Sequence, residues 1–149
     1  MALDEVGQET PFSLRGLPTD PRDAAFIRFV LDRLPHIPSV VEEHPDPGSF
    51  MQALSECSLL VGMRLHALIL AASVKRLPIC GFLYSNKTQT FVREAGLEQV
   101  FFPMNTTDTA AIVAVIRESL SGEIPPPSLS EWKEESLRQR AFLTPFLKP

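Results

Sequence analysis

The stretch Leu59-Leu60-Val61-Gly62-Met63-Arg64-Leu65-His66-Ala67-Leu68-Ile69-Leu70-Ala71-Ala72-Ser73 decides how this chain is read. Its opening, Leu59 to Val61, is a short continuous apolar run, the pattern of a buried strand in a parallel sheet. Gly62 ends the run. From about Arg64 to Lys75, the apolar residues Leu65, Leu68, Ile69 and Ala72 recur at i, i+3, i+4 and i+7, the stripe of a helix. A strand that passes into a helix through one glycine is half of a βαβ unit. Two polar residues, Arg64 and His66, stand at the joint.

The pattern repeats on both sides. Downstream, Pro78 to Leu83 is the next strand. Ser85 or Asn86 caps a helix that runs to Ala95, and Gly96 fits the position after its end. Val100-Phe101-Phe102 is a short strand, and Thr106-Thr107-Asp108 caps a helix from about Thr109 to Leu120. Upstream, Asp46 caps and Pro47 opens a helix whose face is Phe50, Met51, Leu54 and Cys57. Ser39 to Glu42 is a weak strand. Before it, Asp20 and Pro21 start a helix to Leu34 with the stripe Phe26, Phe29, Val30 and Arg33. The expected organisation is an irregular segment over 1–20, with Phe12-Ser13-Leu14 compatible with a short strand, and an α/β domain over 21–122. A proline-rich linker and a C-terminal helix, about Glu131 to Arg140, fill 123–149. Strands alternating with helices over short connections predict an α/β fold, a Rossmann-like parallel sheet with flanking helices.

A chain of 149 residues suits one domain and needs no crosslinks to bury a core. Fourteen basic against 18 acidic residues leave a net charge of −4, which speaks against general nucleic-acid binding. The two cysteines, Cys57 and Cys80, form no CxxC pair, so they read as buried free thiols. The acidic start lacks the apolar segment of a signal peptide, and the longest apolar run, Leu65 to Val74, is too short to span a bilayer. A cytoplasmic protein without a transmembrane segment is expected.

In parallel sheets, ligands bind beyond the carboxyl ends of the strands, where helix N-termini point. Those termini carry about +0.5 of a charge and favour acidic residues. Here two neighbouring first turns carry cations instead, Arg64 and Lys87. An anion shared between them would resolve the conflict. Arg64 offers a planar fork and Lys87 a point charge. His66 can donate to the same anion or move a proton near neutral pH. Positions i and i+2 lie on different helix faces, so Arg64 and His66 converge only if Arg64 precedes the regular helix. Each residue has an ordinary alternative. A junction arginine makes a salt bridge, a histidine in an apolar stretch sits in the core or at its rim, a lone lysine is solvated, and Tyr84 packs. It is the pair of cationic helix starts that favours a site. No GxGxxG, P-loop or nucleophile elbow occurs, and His36 and His44 have no metal-site spacing, so no cofactor or metal is expected.

The segment Gly62 to Ala72, preceded by its apolar strand, resembles the signature of the polysaccharide pyruvyl transferase family. Residues 77 to 97 resemble that family's next strand, tyrosine-containing turn and helix, and residues 46 to 62 its lead-in. The resemblance spans about Asp20 to Leu120. It implies the C-terminal lobe of a GT-B-type fold, and transfer of a pyruvyl group from phosphoenolpyruvate to a sugar of a cell-wall or exported polysaccharide, forming a ketal. Arg64, His66 and Lys87 match positions where such enzymes would hold or activate phosphoenolpyruvate; Tyr84 is expected to bind substrate, and His66 is the candidate for one of the proton transfers. Ser85-Asn86 stand where the family usually has Asp-Pro. Family members are roughly twice this length, so the chain is expected to lack an N-terminal lobe, as a fragment, a split-gene product or a degenerate copy. Two alternatives stay open. One is a sugar-nucleotide-binding lobe of a glycosyltransferase or epimerase. The other is a non-catalytic remnant or interaction domain.

Overall fold

The strand Ile79–Leu83 (β4) lies at the centre of a three-stranded parallel sheet, between Leu60–Gly62 (β3) and Phe101–Pro103 (β5). This computed structural model describes residues 2–44, 46–74 and 77–127. The C-terminal helix expected at 131–140 and the expected last residue of the 64–75 helix lie outside the described residues. Ile79, Cys80 and Gly81 are all buried, so the strand with a covered surface on both sides is β4. β3 is an edge strand, and Val61 is 43% exposed. The expectation that Leu59 to Val61 is a buried strand is therefore corrected. A short apolar run has the same composition at the edge of a sheet as at its centre.

The pairing register is set by glycine. Gly62 lies opposite Gly81. A Cβ on Gly81 would stand 1.7 Å from the Gly62 carbonyl oxygen, so no larger residue fits while the strands keep this approach. Leu68, on the helix Leu65–Ser73 (α4), covers Gly62 from one face of the sheet. On the other face, Ile112 and Ile116 of the helix Thr109–Ser121 (α6) meet Cys80, Phe82 and Phe102. The helix Asn86–Glu94 (α5) packs beside α4 and β4, burying Phe91 and Val92.

Within α4 the buried residues are Ala67, Leu68 and Ala71, while Leu65, Ile69 and Ala72 are only partly covered. The small alanines let this helix lie close, and the inward face is rotated from the expected stripe. Several caps form as expected. Asp46 accepts from Ser49 N at 3.0 Å, Ser85 accepts from Thr88 N, and Asp108 accepts from Ala111 N at 2.9 Å. Gly96, at φ +66°, follows the end of α5.

A second, two-stranded parallel sheet pairs Leu14–Gly16 (β1) with Ser39–Val41 (β2). Arg15 ties it together: its guanidinium donates to both carboxylate oxygens of Glu42, at 2.8 and 2.7 Å, and to Glu56 at 2.8 Å, just past the helix Pro47–Ser55 (α3). The helix Asp23–Leu31 (α2) packs so closely on β1 that a Cβ on Gly16 would meet Ile27 at 2.3 Å and Leu31 at 3.3 Å. This fixes the α2 face as Asp23, Ile27 and Leu31, spaced by four. Phe26 and Phe29, expected on the core stripe, are 58% and 52% exposed, and Arg33 stacks over the Phe29 ring. The helix also starts later than expected. Asp20 closes a turn onto Arg22 and Asp23, instead of capping at Pro21.

The segment 1–20 is not irregular throughout. Ala2–Glu9 forms a helix (α1) that packs on α6 through buried Val6 and an ion pair from Arg117 to Glu9. Eight residues are too few to hold a helix alone, so this one depends on its neighbour. The whole is an α/β architecture of parallel strands flanked by helices, consistent with a Rossmann-like arrangement. Among the described residues, no helix is long and apolar enough to cross a membrane.

Two outcomes follow. Gly81→Ala should lower unfolding free energy by about 3 kcal/mol or more, measured by urea denaturation, because the intruding methyl meets backbone. Burial pushes the Cys80 thiol from 9.0 up to about 12. Its neutral form then stabilises the fold below pH about 9, and that contribution is lost as pH rises toward 12. The urea midpoint of the wild type should fall more steeply over this range than that of Cys80→Ala.

Candidate functional site

The carboxyl ends of the strands lead into helix starts, and the candidate residues are placed there by the fold. β3 ends at Gly62, and Arg64 occupies the N-cap of α4 with extended backbone (φ −79°, ψ 123°). Arg64 thus precedes the regular helix, which is the condition for it to turn toward the face of the site. β4 ends at Leu83, followed by Tyr84, the cap Ser85, and Lys87 in the first turn of α5. The two junctions are joined. Thr88 is fully buried, its hydroxyl lies 3.0 Å from Ser85 Oγ and donates to the Met63 carbonyl at 3.5 Å.

Arg64 finds its partner on the other sheet's unit. Its Nε donates to Asp23 Oδ2 at 3.0 Å, and its Nη2 donates to Asp23 Oδ1. The pair is bidentate, the geometry in which a guanidinium holds a carboxylate best. The guanidinium also lies 5.9 Å from the centroid of the Tyr84 ring. Asp23 holds Arg64 more firmly in its charged form, and the Tyr84 hydroxyl acts in the same direction. Nearby, Arg22 donates to Asp20 at 2.9 Å and lowers its carboxyl below the usual range.

The structure therefore brings together Arg64 and Tyr84, and adds Asp23. It does not bring His66 or Lys87 into the group. Both side chains are exposed, and among the described residues neither has a hydrogen-bond or ion-pair partner. The ordinary reading of a junction arginine, an ion pair between neighbouring units, is what Arg64 does in this structure. Sequence reasoning missed Asp23 because the helix was phased on Phe26 and Phe29. The spacing Asp23, Ile27, Leu31 was the available signal, and it places an acid at the start of the inward face. Thr88 was also missed, being an uncharged residue whose partner is a backbone carbonyl 25 positions away.

A second polar group surrounds Arg15. His44 Nε2 is buried and lies 3.6 Å from Glu42 Oε2, with its ring edge-on to Phe50. Arg15 already engages both carboxylate oxygens of Glu42, so this group reads as a structural tie. Among the described residues, no three His, Cys, Asp or Glu side chains gather so as to hold a metal ion. Compared with known families, curated proteins and solved structures, the chain matches none.

A double-mutant cycle measures the central pair. Arg64→Ala leaves the largely covered Asp23 carboxylate without its partner and should cost about 1–2 kcal/mol in urea unfolding. Asp23→Ala should cost a similar amount, and the double variant should cost less than the two singles added together. His66→Ala and Lys87→Ala should each stay within about 0.5 kcal/mol of wild type.

Proposed function

We propose that this chain is the anion-binding lobe of a transferase that moves a pyruvyl group from phosphoenolpyruvate onto a sugar. The observation that carries the reading is the placement of Arg64 against Tyr84 at the carboxyl edge, where the starts of α4 and α5 are locked together by Thr88. Arg64 stays charged and keeps donors beyond those Asp23 takes. Lys87 adds a mobile cation on the adjoining helix start. Phosphoenolpyruvate carries a carboxylate and a phosphate, which suits a fixed guanidinium and a flexible ammonium near two helix N-termini. Forming the ketal requires a proton delivered to the enol carbon and protons removed from sugar hydroxyls, with phosphate as the leaving group. His66, exposed on the first turn of α4, is free to approach a bound substrate and serve one of these transfers.

The resemblance of residues 62–72 to the polysaccharide pyruvyl transferases supports the same reading. Within it, a GT-B-type lobe is the proposed architecture and a cell-wall or exported polysaccharide the acceptor. The reaction is placed in the cytoplasm, and a second lobe contributes the rest of the acceptor site. The exposed apolar side chains Val61, Tyr84, Met104, Phe26 and Phe29 favour a second reading, an interaction domain that covers some of them against a partner.

Thermal shift separates these readings. At a concentration a hundredfold above Kd, phosphoenolpyruvate adds about 2.7 kcal/mol of stability, or about 5–10 °C in Tm. The expected result is such a rise for the wild type, its loss in Arg64→Ala, and no rise with a UDP-sugar. A rise with the UDP-sugar alone would favour a sugar-nucleotide lobe. No rise with either ligand would sink the binding readings and leave the interaction domain.

A further inference from the structure

We propose that Asp23 is a positioning residue for the candidate site: it holds Arg64 by one edge so that the opposite edge is presented to an acidic group of the substrate. This inference rests on the reading of Arg64 as a substrate-binding residue. It concerns a residue that enters the site from a different sheet.

A guanidinium has two edges that can each engage an anion. The side edge offers Nε and one Nη, and the end offers both Nη atoms. Asp23 takes the side edge through Nε and Nη2. Asp23 leaves Nη1 unengaged, and the Tyr84 hydroxyl is the other group that acts on the guanidinium, so a ligand at this end meets the fork beside Tyr84. Exposure differs in the same sense. The Asp23 side chain is 17% exposed and that of Arg64 is 43% exposed. An incoming ligand therefore meets the guanidinium before it meets the carboxylate. The Tyr84 ring restrains the guanidinium further, and its hydroxyl strengthens the charge.

Asp23 is itself held in place. It lies on the α2 face that Ile27 and Leu31 press onto Gly16, so its backbone is fixed where the side chain meets Arg64. Arg64 is a long side chain that loses considerable rotamer freedom when a ligand orders it. With Asp23 holding the fork, that ordering is complete before the ligand arrives. The geometry also limits what binds. A single carboxylate or phosphate fits end-on, and a ligand with a second acidic group needs another cation for it.

The test uses the 149-residue protein, with phosphoenolpyruvate as the probe. Two readouts are taken on wild type, Asp23→Ala, Asp23→Asn and Arg64→Lys. The first is the Arg64 Nε–Hε signal in the nuclear magnetic resonance spectrum, assigned by its disappearance in Arg64→Lys. The second is the calorimetric Kd. A sharp, exchange-protected Nε–Hε signal is expected in wild type and should be lost in Asp23→Ala. Losing the pre-ordered side chain should weaken affinity about 3- to 10-fold. Asp23→Asn keeps one acceptor and should restore part of both signal and affinity, which a general loss of packing would not do. If wild type binds and Asp23→Ala binds equally well or more tightly, Asp23 competes with the ligand and the positioning role is overturned. If wild type does not bind at all, the functional reading falls and takes this inference with it.

Discussion

The approach of β3 to β4 at Gly62 and Gly81 is the constraint on which the rest of the structure depends. Two backbones lie so close that the Gly62 carbonyl fills the place of a Cβ at residue 81. Because this contact has no side chain in it, it tolerates no adjustment by rotamer. It sets the register of the sheet, Leu60 with Ile79 and Val61 with Cys80. β4 runs on to Leu83, two residues past the glycine pair, where β3 has already turned toward α4. The turns that follow lie side by side, and the Thr88 hydroxyl of one unit can reach the Met63 carbonyl of the other. Leu68 closes over the same point from α4, so core packing and the placement of the junction are one event.

The two sheets are tied at their polar ends by charge. Arg15 binds β1 to the chain after β2 and to the end of α3, and Arg64 binds the start of α4 to the start of α2. In both cases the arginine engages a carboxylate with two parallel hydrogen bonds, which fixes direction as well as distance. Close backbone packing again prepares the contact. Gly16 lets α2 settle on β1, and that seating turns Asp23 toward Arg64. Glycine at three strand ends or interiors thus determines where the charges stand.

The candidate site combines one rigid part with one mobile part. Arg64, Asp23 and Tyr84 are held by hydrogen bonds and a ring contact, while His66 and Lys87 extend from first turns into solvent. Such a division suits a reaction in which one anionic group is anchored and another is released as protons move. A bidentate pair of this kind orients a guanidinium without using all of its donors.

Much of this was legible in the sequence. The order of strands and helices, the caps Asp46, Ser85 and Asp108, and Gly96 beyond α5 all follow from local chemistry that acts within a few residues. The location of Arg64 and Tyr84 at one edge follows from the same order, because parallel strands joined by helices deliver every such junction to one side. Local pattern did not decide which side of a helix is inward. Phe26 and Phe29 are as apolar as Ile27 and Leu31, yet they face out, because the surface that α2 meets is the bare backbone at Gly16. Nor did it decide that β3 is an edge, that residues 2–9 fold onto α6, or that Arg64 meets Asp23 across 41 positions. The sequence by itself determined the elements and the polar residues at their ends. Only the tertiary structure decided which of those residues touch, since close approach between distant segments selects the partner and no periodicity records it.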